Sequence, residues 1–107
     1  MDKNVMKVVL HVSNNDQIAR MQSNINNLLK EDNTIQVNVV INGEAVTRFI
    51  KGSDLALNPK ATYFLCNNSL NAHYIAQNEI LTGTQVTSSG VYKLALLQKE
   101  GFLYIKV

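Results

Sequence analysis

Apolar runs alternate with segments of helical periodicity along the whole chain. Residues 5–12 form a nearly continuous, valine-rich apolar run, which is typical of a β-strand covered on both faces. Four further runs have strand character, at residues 34–41, 62–65, 85–87 and 102–106. The pattern therefore predicts five strands, separated by segments long enough to hold helices.

Helical spacing marks most of the connections. Residues 13–16 offer N-cap side chains, and apolar residues then recur at helical spacing up to about Lys30. A second helix is predicted over about residues 68–78. A third follows the cap Ser88-Ser89 and ends with Gly101 at its C′ position.

The connection between the second and third strands has weaker signals. Asn42-Gly43 is a turn pair, and the apolar spacing after it predicts a short helix that ends near Gly52. Another helical turn is predicted at residues 53–57, before Pro59 breaks the pattern.

Strands that alternate with helices predict an α/β fold with a mainly parallel five-stranded sheet and helices on both faces. We expect the common strand order 2-1-3-4-5, in which the winding direction reverses between strands 1 and 3. Ligands bind such sheets at the carboxyl ends of the strands, beside the reversal. The 107 residues fit one domain, spanning residues 1–107.

Composition narrows the possible partners and the cellular location. Hydrophobic residues make up 46% and charged residues 17% of the chain, which is typical of a folded globule. Basic residues exceed acidic ones by only two and are dispersed, so nucleic acid is not an expected partner. Residues 1–4 are too polar for a secretory signal, and no apolar run approaches a membrane-spanning length. We therefore expect a cytoplasmic protein that does not bind membranes.

The single cysteine is the strongest candidate for chemistry. Cys66 lies where the third strand ends and a helix-capping cluster begins, and a helix N-terminus lowers the pKa of a thiol. In the expected strand order His11 faces the same crevice, where its imidazole could accept the thiol proton. Cys66 and His11 are therefore candidate catalytic residues. The alternative is that both are core residues, and the sequence does not show whether His11 or Val12 faces the crevice.

Polar residues follow the first three strands at the same edge of the predicted sheet. They could hydrogen-bond a ligand or a sulfur oxyanion, although helix caps and tight turns need the same residue types. For Ser88-Ser89-Gly90 we favour a plain helix cap over an anion site, and for His73 a surface or interface position. The candidate ligand-binding residues are Ser13, Asn14, Asn42, Gly43, Asn67, Asn68 and Ser69.

Several other chemistries lack the residues they need. The five glycines are dispersed, so neither a dinucleotide fingerprint nor a phosphate-binding P-loop can be written. One cysteine and two distant histidines give no metal-ligand spacing, and no Cys-x-x-Cys pair exists. We expect neither a cofactor nor a metal.

The chain resembles the DsrE/DsrF-like family over nearly its whole length. The resemblance rests on segments whose order and spacing match together: Lys7-Val8-Val9-Leu10-His11-Val12, Val39-Val40-Ile41-Asn42-Gly43, Phe64-Leu65-Cys66-Asn67-Asn68-Ser69-Leu70, Ser89-Gly90-Val91 and Gln98-Lys99-Glu100-Gly101-Phe102-Leu103-Tyr104-Ile105. It implies a three-layer α/β sandwich and homo-oligomers such as trimers or hexamers. In the sulfur-relay relatives, a cysteine after a central strand carries sulfur as a persulfide. Cys66 occupies the matching position, whereas Asn67 and Asn68 replace the apolar residues those relatives tend to have there.

Two functional hypotheses follow. In the first, the protein handles sulfur: Cys66 accepts sulfane sulfur from a donor and passes it to an acceptor protein, as a sulfurtransferase-like carrier does. In the second, the protein is a non-enzymatic oligomeric module that binds a small ligand in a crevice lined by Cys66.

An oligomer is also suggested by residues 62–81, which carry a single charge, at Glu79, among many apolar residues. Tyr74 is the expected interface residue, with His73 at the rim.

Overall fold

A computed structural model describes residues 5–107. The polar opening segment, residues 1–4, lies outside the described residues. The predicted α/β fold is confirmed: five strands alternate with three α-helices and three 3₁₀ segments. The strands are β1 (Lys7–Val12), β2 (Gln36–Ile41), β3 (Ala61–Cys66), β4 (Thr84–Thr87) and β5 (Leu103–Lys106), the helices are α1 (Ile18–Glu31), α2 (Asn67–Ala72) and α3 (Gly90–Lys99), and the 3₁₀ segments are Asn15–Gln17, Gly43–Arg48 and Gln77–Glu79.

All strand pairs are parallel, and the order across the sheet is β4-β3-β2-β1-β5. The expected order 2-1-3-4-5 is wrong. The first four strands step across the sheet in one direction, so right-handed crossovers place their connections on one face. α3 then crosses the opposite face and returns the chain to the free edge of β1. β2 therefore separates β1 from β3, and the winding reverses between β1 and β5.

Two apolar clusters cover the two faces of the sheet. On one face, residues such as Val8 and Leu10 pack with Met21 and Ile25 of α1. The other face packs against α3, with this cluster: Val9, Val40, Leu94, Leu97, Phe102 and the half-buried Phe64. The sheet with a helical layer on each side forms three layers.

Strand alternation assigns the candidate site residues to a face. Side chains two positions apart on a strand share a face, so His11 and Cys66 extend the rows that begin at Val9 and Phe64 on the α3 side. Val12 belongs to the opposite cluster and is fully buried. His11, rather than Val12, therefore faces the α3 side of the sheet.

The helix predicted over residues 68–78 is wrong in its second half. α2 ends at Ala72, because the chain turns into the left-handed region at Tyr74, where φ is +59°. The Ile75 N–H donates to the Leu70 carbonyl at 2.9 Å, and the Tyr74 N–H donates to the Asn71 carbonyl at 3.1 Å. This pair of bonds is a Schellman ending, which normally has glycine in the left-handed position.

The connection between β2 and β3 also differs from prediction. The short helix expected near residues 46–50 is a 3₁₀ segment that begins earlier, at Gly43. Residues 53–57 are not helical. The Ser53 hydroxyl accepts a hydrogen bond from the Leu55 N–H at 3.1 Å, which is a local alternative to a helical turn, and Leu55 is buried in the core.

The predicted ends of α3 are confirmed. The Ser89 hydroxyl accepts from the Tyr92 N–H at 3.3 Å, and Gly101 follows the helix with φ +97°. Across residues 5–107, no helix combines the length and apolar composition needed to cross a bilayer.

Candidate functional site

The candidate residues lie at the carboxyl edge of the sheet, where β1, β2 and β3 end side by side. His11 and Ser13 lie at the end of β1, Asn42 and Gly43 follow β2, and Cys66 closes β3. Because β2 lies between β1 and β3, Asn42 lies between His11 and Cys66. The two candidate catalytic residues therefore share this edge without being neighbours.

Cys66 is almost completely buried, with 6% of its surface exposed, and it lies at the start of α2. Burial acts to raise the pKa of the thiol. The Ser69 hydroxyl and the N–H groups of Ser69, Gly90 and Asn68 outweigh that effect, because these polar donors around the sulfur favour its charged form and bring its pKa below the ordinary value. The N-termini of α2 and α3 thus converge on one sulfur atom and favour its thiolate form.

Ser69 is held in place by the loop after β2. The Gly43 N–H donates to the Ser69 hydroxyl oxygen at 2.8 Å, which leaves the hydroxyl hydrogen free to point at Cys66. Gly43 has φ +58°, and a Cβ atom there would lie 2.9 Å from the Ser13 carbonyl oxygen. The left-handed backbone conformation and the close packing each favour glycine at this position.

Gly90 has a different reason to be glycine, because its φ is not in the left-handed region. A Cβ atom on Gly90 would lie 3.2 Å from Cys66 Cβ, 3.5 Å from Cys66 Sγ and 3.4 Å from Asn42 Cβ. The missing side chain lets the first turn of α3 approach the thiol. In the sequence, Gly90 belongs to Ser88-Ser89-Gly90, a pattern that favours a plain helix cap over an anion site. Its close approach to Cys66 depends on how α3 packs on the sheet.

His11 is the centre of a polar network on β1, β2 and β5. Its Nδ1 lies 2.7 Å from the Tyr104 hydroxyl, and its Nε2 lies 3.0 Å from Asn42 Oδ1 and 3.2 Å from the Ser13 hydroxyl. The Ser13 hydroxyl also donates to Asn42 Oδ1 at 2.7 Å. Because Asn42 Oδ1 only accepts hydrogen bonds, the neutral ring carries its hydrogen on Nε2, and Nδ1 accepts from Tyr104.

Burial, and not the hydrogen-bond network, favours the neutral form of His11. Burial lowers the pKa of His11, the hydrogen bond to Asn42 opposes that effect, and the charge of Lys106 lowers the pKa further. Both ring nitrogens already have partners, and neither partner is Cys66. The predicted role of His11 as acceptor of the thiol proton therefore has no direct contact to support it and stays a prediction.

The remaining candidate ligand-binding residues lie around Cys66 and the His11 network. Asn14 is exposed, and its N–H donates to Gln17 Oε1 at 3.2 Å. Asn67 accepts from Gln77 Nε2 at 3.1 Å, and the exposed Asn68 contributes its backbone N–H to Cys66. Ligand binding by these side chains stays a prediction. Among residues 5–107, no three His, Cys, Asp or Glu side chains converge to hold a metal ion.

Tyr104 is the site residue that sequence reasoning missed. It is paired with Val9 across the β1–β5 ladder, which places its ring on the same face as His11. The sequence shows that successive side chains of the last strand face opposite sides of the sheet. It does not show that this strand lies beside the first, and without that pairing nothing connects Tyr104 with His11.

Solved structures of other proteins share this fold. The protein of unknown function MTH1491 from Methanobacterium thermoautotrophicum matches with a TM-score of 0.85 and 24% sequence identity, over 95% of this chain and 99% of that one. The ychN protein from E. coli matches with a TM-score of 0.72 and 12% identity, over 95% of this chain and 100% of that one. These identities demonstrate a common fold alone. No family model and no curated protein sequence matches the chain.

Proposed function

We propose that this protein is a carrier of sulfane sulfur and that Cys66 holds the sulfur as a persulfide. The observation that supports it is the position of Cys66: it is the N-cap residue of α2, and the first residue of α3, Gly90, is so near that a Cβ there would lie 3.5 Å from Cys66 Sγ. These helix starts and the Ser69 hydroxyl favour negative charge on the buried sulfur. A cysteine that serves only as a small core residue lies in apolar surroundings without such donors, and burial there raises its pKa.

The proposed reaction is a pair of sulfur exchanges. The Cys66 thiolate attacks the outer sulfur of a donor R–S–SH. A new S–S bond forms, the S–S bond of the donor breaks, and the remainder of the donor leaves as the thiolate R–S⁻. An acceptor thiolate then attacks the outer sulfur of Cys66–S–SH, takes it as R′–S–SH and restores the Cys66 thiolate. Each step forms one S–S bond and breaks another, so no oxidant, metal or organic cofactor is required.

The resemblance to the DsrE/DsrF-like family supports the same proposal independently, since Cys66 occupies the position that corresponds to the sulfur-carrying cysteine of the sulfur-relay relatives. Within this proposal the protein works in the cytoplasm, where reducing conditions keep a lone thiol free for exchange. Its partners are a protein or small molecule that supplies sulfane sulfur and another that accepts it.

Intact mass spectrometry after incubation with sulfane-sulfur donors tests the loading step. We expect wild-type protein to gain the mass of one sulfur atom, removable by reductant, because the activated thiolate is the nucleophile. Cys66→Ser, which keeps the size of the side chain, should gain nothing. A wild-type protein that stays unmodified with several donors would overturn the carrier proposal and favour the ligand-binding module of the second hypothesis.

A further inference from the structure

β5 forms one edge of the sheet, and its side chains are exposed on both faces. Leu103, Tyr104 and Ile105 are 56%, 41% and 39% exposed. Edge strands usually carry charges or prolines that discourage further pairing. The one charge in β5 is Lys106, and its ammonium donates to Gln17 Oε1 at 3.2 Å, so it is held by the segment that follows β1. The edge of β5 is therefore open to another strand.

The backbone of β5 has hydrogen-bonding groups directed outward. The Val107 N–H donates to the His11 carbonyl at 3.0 Å, and in a parallel ladder alternate residues face the neighbouring strand. Leu103 and Ile105 therefore direct their backbone groups toward β1, whereas Tyr104 and Lys106 direct theirs away from it. Among residues 5–107, no strand lies beyond β5.

We propose that β5 pairs antiparallel with β5 of a second copy of this chain, about a twofold axis at Ile105. The two sheets then form one sheet of ten strands, five from each copy. In this register Tyr104 lies opposite Lys106 of the partner subunit, and all the outward backbone groups of both residues are used. A register that pairs Tyr104 with its own copy leaves Lys106 without its partner, and one that pairs Lys106 with its own copy places like charges opposite each other.

The side chains of β5 are complementary to β5 in the reverse direction. On the α1 side, Ile105 meets its own copy beside an open groove of about 270 Å³ between α1 and β5, where Leu10 and Leu28 supply apolar surface. On the α3 side, the ring of Tyr104 meets the apolar stem of the partner's Lys106. A different strand would have to supply the same order of side chains, and a second copy supplies it by symmetry.

The pairing also adds a residue to the candidate site. The Tyr104 hydroxyl lies 2.7 Å from His11 Nδ1, so the partner's Lys106 covers the outer end of the His11 network. The contact is closed by its twofold symmetry, and a threefold contact through another surface would extend it to six chains. The inference does not depend on the sulfur chemistry of Cys66.

Disulfide trapping tests the register. In a Cys66→Ser background, Ile105→Cys places two thiols at the axis. The Cα atoms of such a non-hydrogen-bonded antiparallel pair lie about 4.5 Å apart, within the range of a disulfide. Leu103→Cys is the matched control, because Leu103 is exposed on the same face of the same strand. Its copy is four residues out of register, roughly 13 Å away along the strand.

With oxidised glutathione at micromolar protein concentration, we expect Ile105→Cys to form a disulfide-linked dimer. Its rate should exceed that of Leu103→Cys by roughly tenfold or more, because thiols held in register have a far higher effective concentration. Ile105→Lys should shift the sedimenting species to a smaller size, since it places two like charges at the axis.

Three results would overturn the proposal. Equal trapping rates would indicate random collisions, and faster trapping of Leu103→Cys would indicate another register. If Ile105→Cys is not trapped and the Cys66→Ser protein sediments as a monomer, β5 does not bind its own copy, and an extended segment of another protein would be the occupant to test. The sulfur-carrier proposal would stand in all three cases.

Discussion

At the residue scale, the chemistry of Cys66 depends on groups that are distant in sequence. In the sequence, Cys66 directly precedes a predicted helix. The N–H groups of Asn68 and Ser69, in the first turn of that helix, are the local groups that lower the pKa of the thiol. The N–H of Gly90 comes from a helix that begins more than twenty residues later. Its approach depends on the absence of a side chain, which is a fact of packing and not of local sequence pattern.

Gly90→Ala therefore tests the source of the lowered thiol pKa. The added methyl group would lie 3.2 Å from Cys66 Cβ and would push the first turn of α3 away from the sulfur. We expect the pH profile of Cys66 alkylation to move upward, because the thiolate loses one donor while the thiol form loses nothing. Ser69→Ala should move it in the same direction without adding bulk.

Val91→Ala is the control for this pair. Val91 is the next residue on α3 and is 70% exposed, so its truncation should leave the profile at the wild-type position. If Gly90→Ala and Ser69→Ala also match wild type, then the donors around Cys66 do not set its reactivity.

At the element scale, helix ends show which parts of the fold the sequence could reveal. α1 and α3 were predicted because apolar spacing and capping residues agree, and Gly101 marks the end of α3. α2 has the same type of ending as α3, with the left-handed position occupied by Tyr74 in place of glycine. Since the usual marker is missing, the sequence predicted a helix that continued to residue 78.

Tyr74→Gly should stabilise the folded protein. The left-handed conformation costs a residue with a side chain about 1–2 kcal/mol, whereas glycine adopts it freely but loses about 0.4–1 kcal/mol through its more flexible unfolded state. The Tyr74 side chain is 94% exposed, so its removal breaks few contacts within the chain. We expect a net gain of about 0.5–1 kcal/mol in the free energy of unfolding, measured by urea denaturation.

The comparison variant is Tyr92→Gly. Tyr92 is also an exposed tyrosine, but it lies inside α3, where glycine is a poorer helix former than tyrosine and lowers stability by about 0.5 kcal/mol. A loss of stability in both variants would mean that the Tyr74 side chain makes stabilising contacts, as it would in an oligomer interface.

At the scale of the whole molecule, the alternation of strands and helices was enough to predict the fold class but not the strand order. Only β4, with the sequence TQVT, is mostly polar, so composition indicates one edge strand and does not rank the other four. The error had a consequence for the site. The expected order placed His11 directly beside Cys66, whereas the observed order places Asn42 between them and brings Tyr104 to the far side of His11.

The predicted homo-oligomer has two candidate surfaces. Most of the apolar residues at 62–81 that suggested an interface pack within the chain, and Tyr74 alone among them is highly exposed. The edge strand β5 is a second surface, since Leu103, Tyr104 and Ile105 are 56%, 41% and 39% exposed.

Sedimentation at micromolar concentration should give a trimer or a larger species for wild type. Tyr74→Glu should weaken the assembly if the first surface forms it, and Leu103→Glu if the second does, because each places a charge in an apolar contact. A wild-type protein that sediments as a monomer would contradict the prediction, and the site would then be built from one chain alone.

The central claim is that Cys66 holds sulfur in a form that can be passed on. The most direct measurement loads the protein from a donor labelled in its outer sulfur, removes the donor and adds an acceptor thiol. Alkylation then traps the products. We predict that the label leaves Cys66 and is recovered as the alkylated persulfide of the acceptor, with no label ever bound to Cys66→Ser. Label that stays on the protein, or that leaves only as sulfide, would contradict the account.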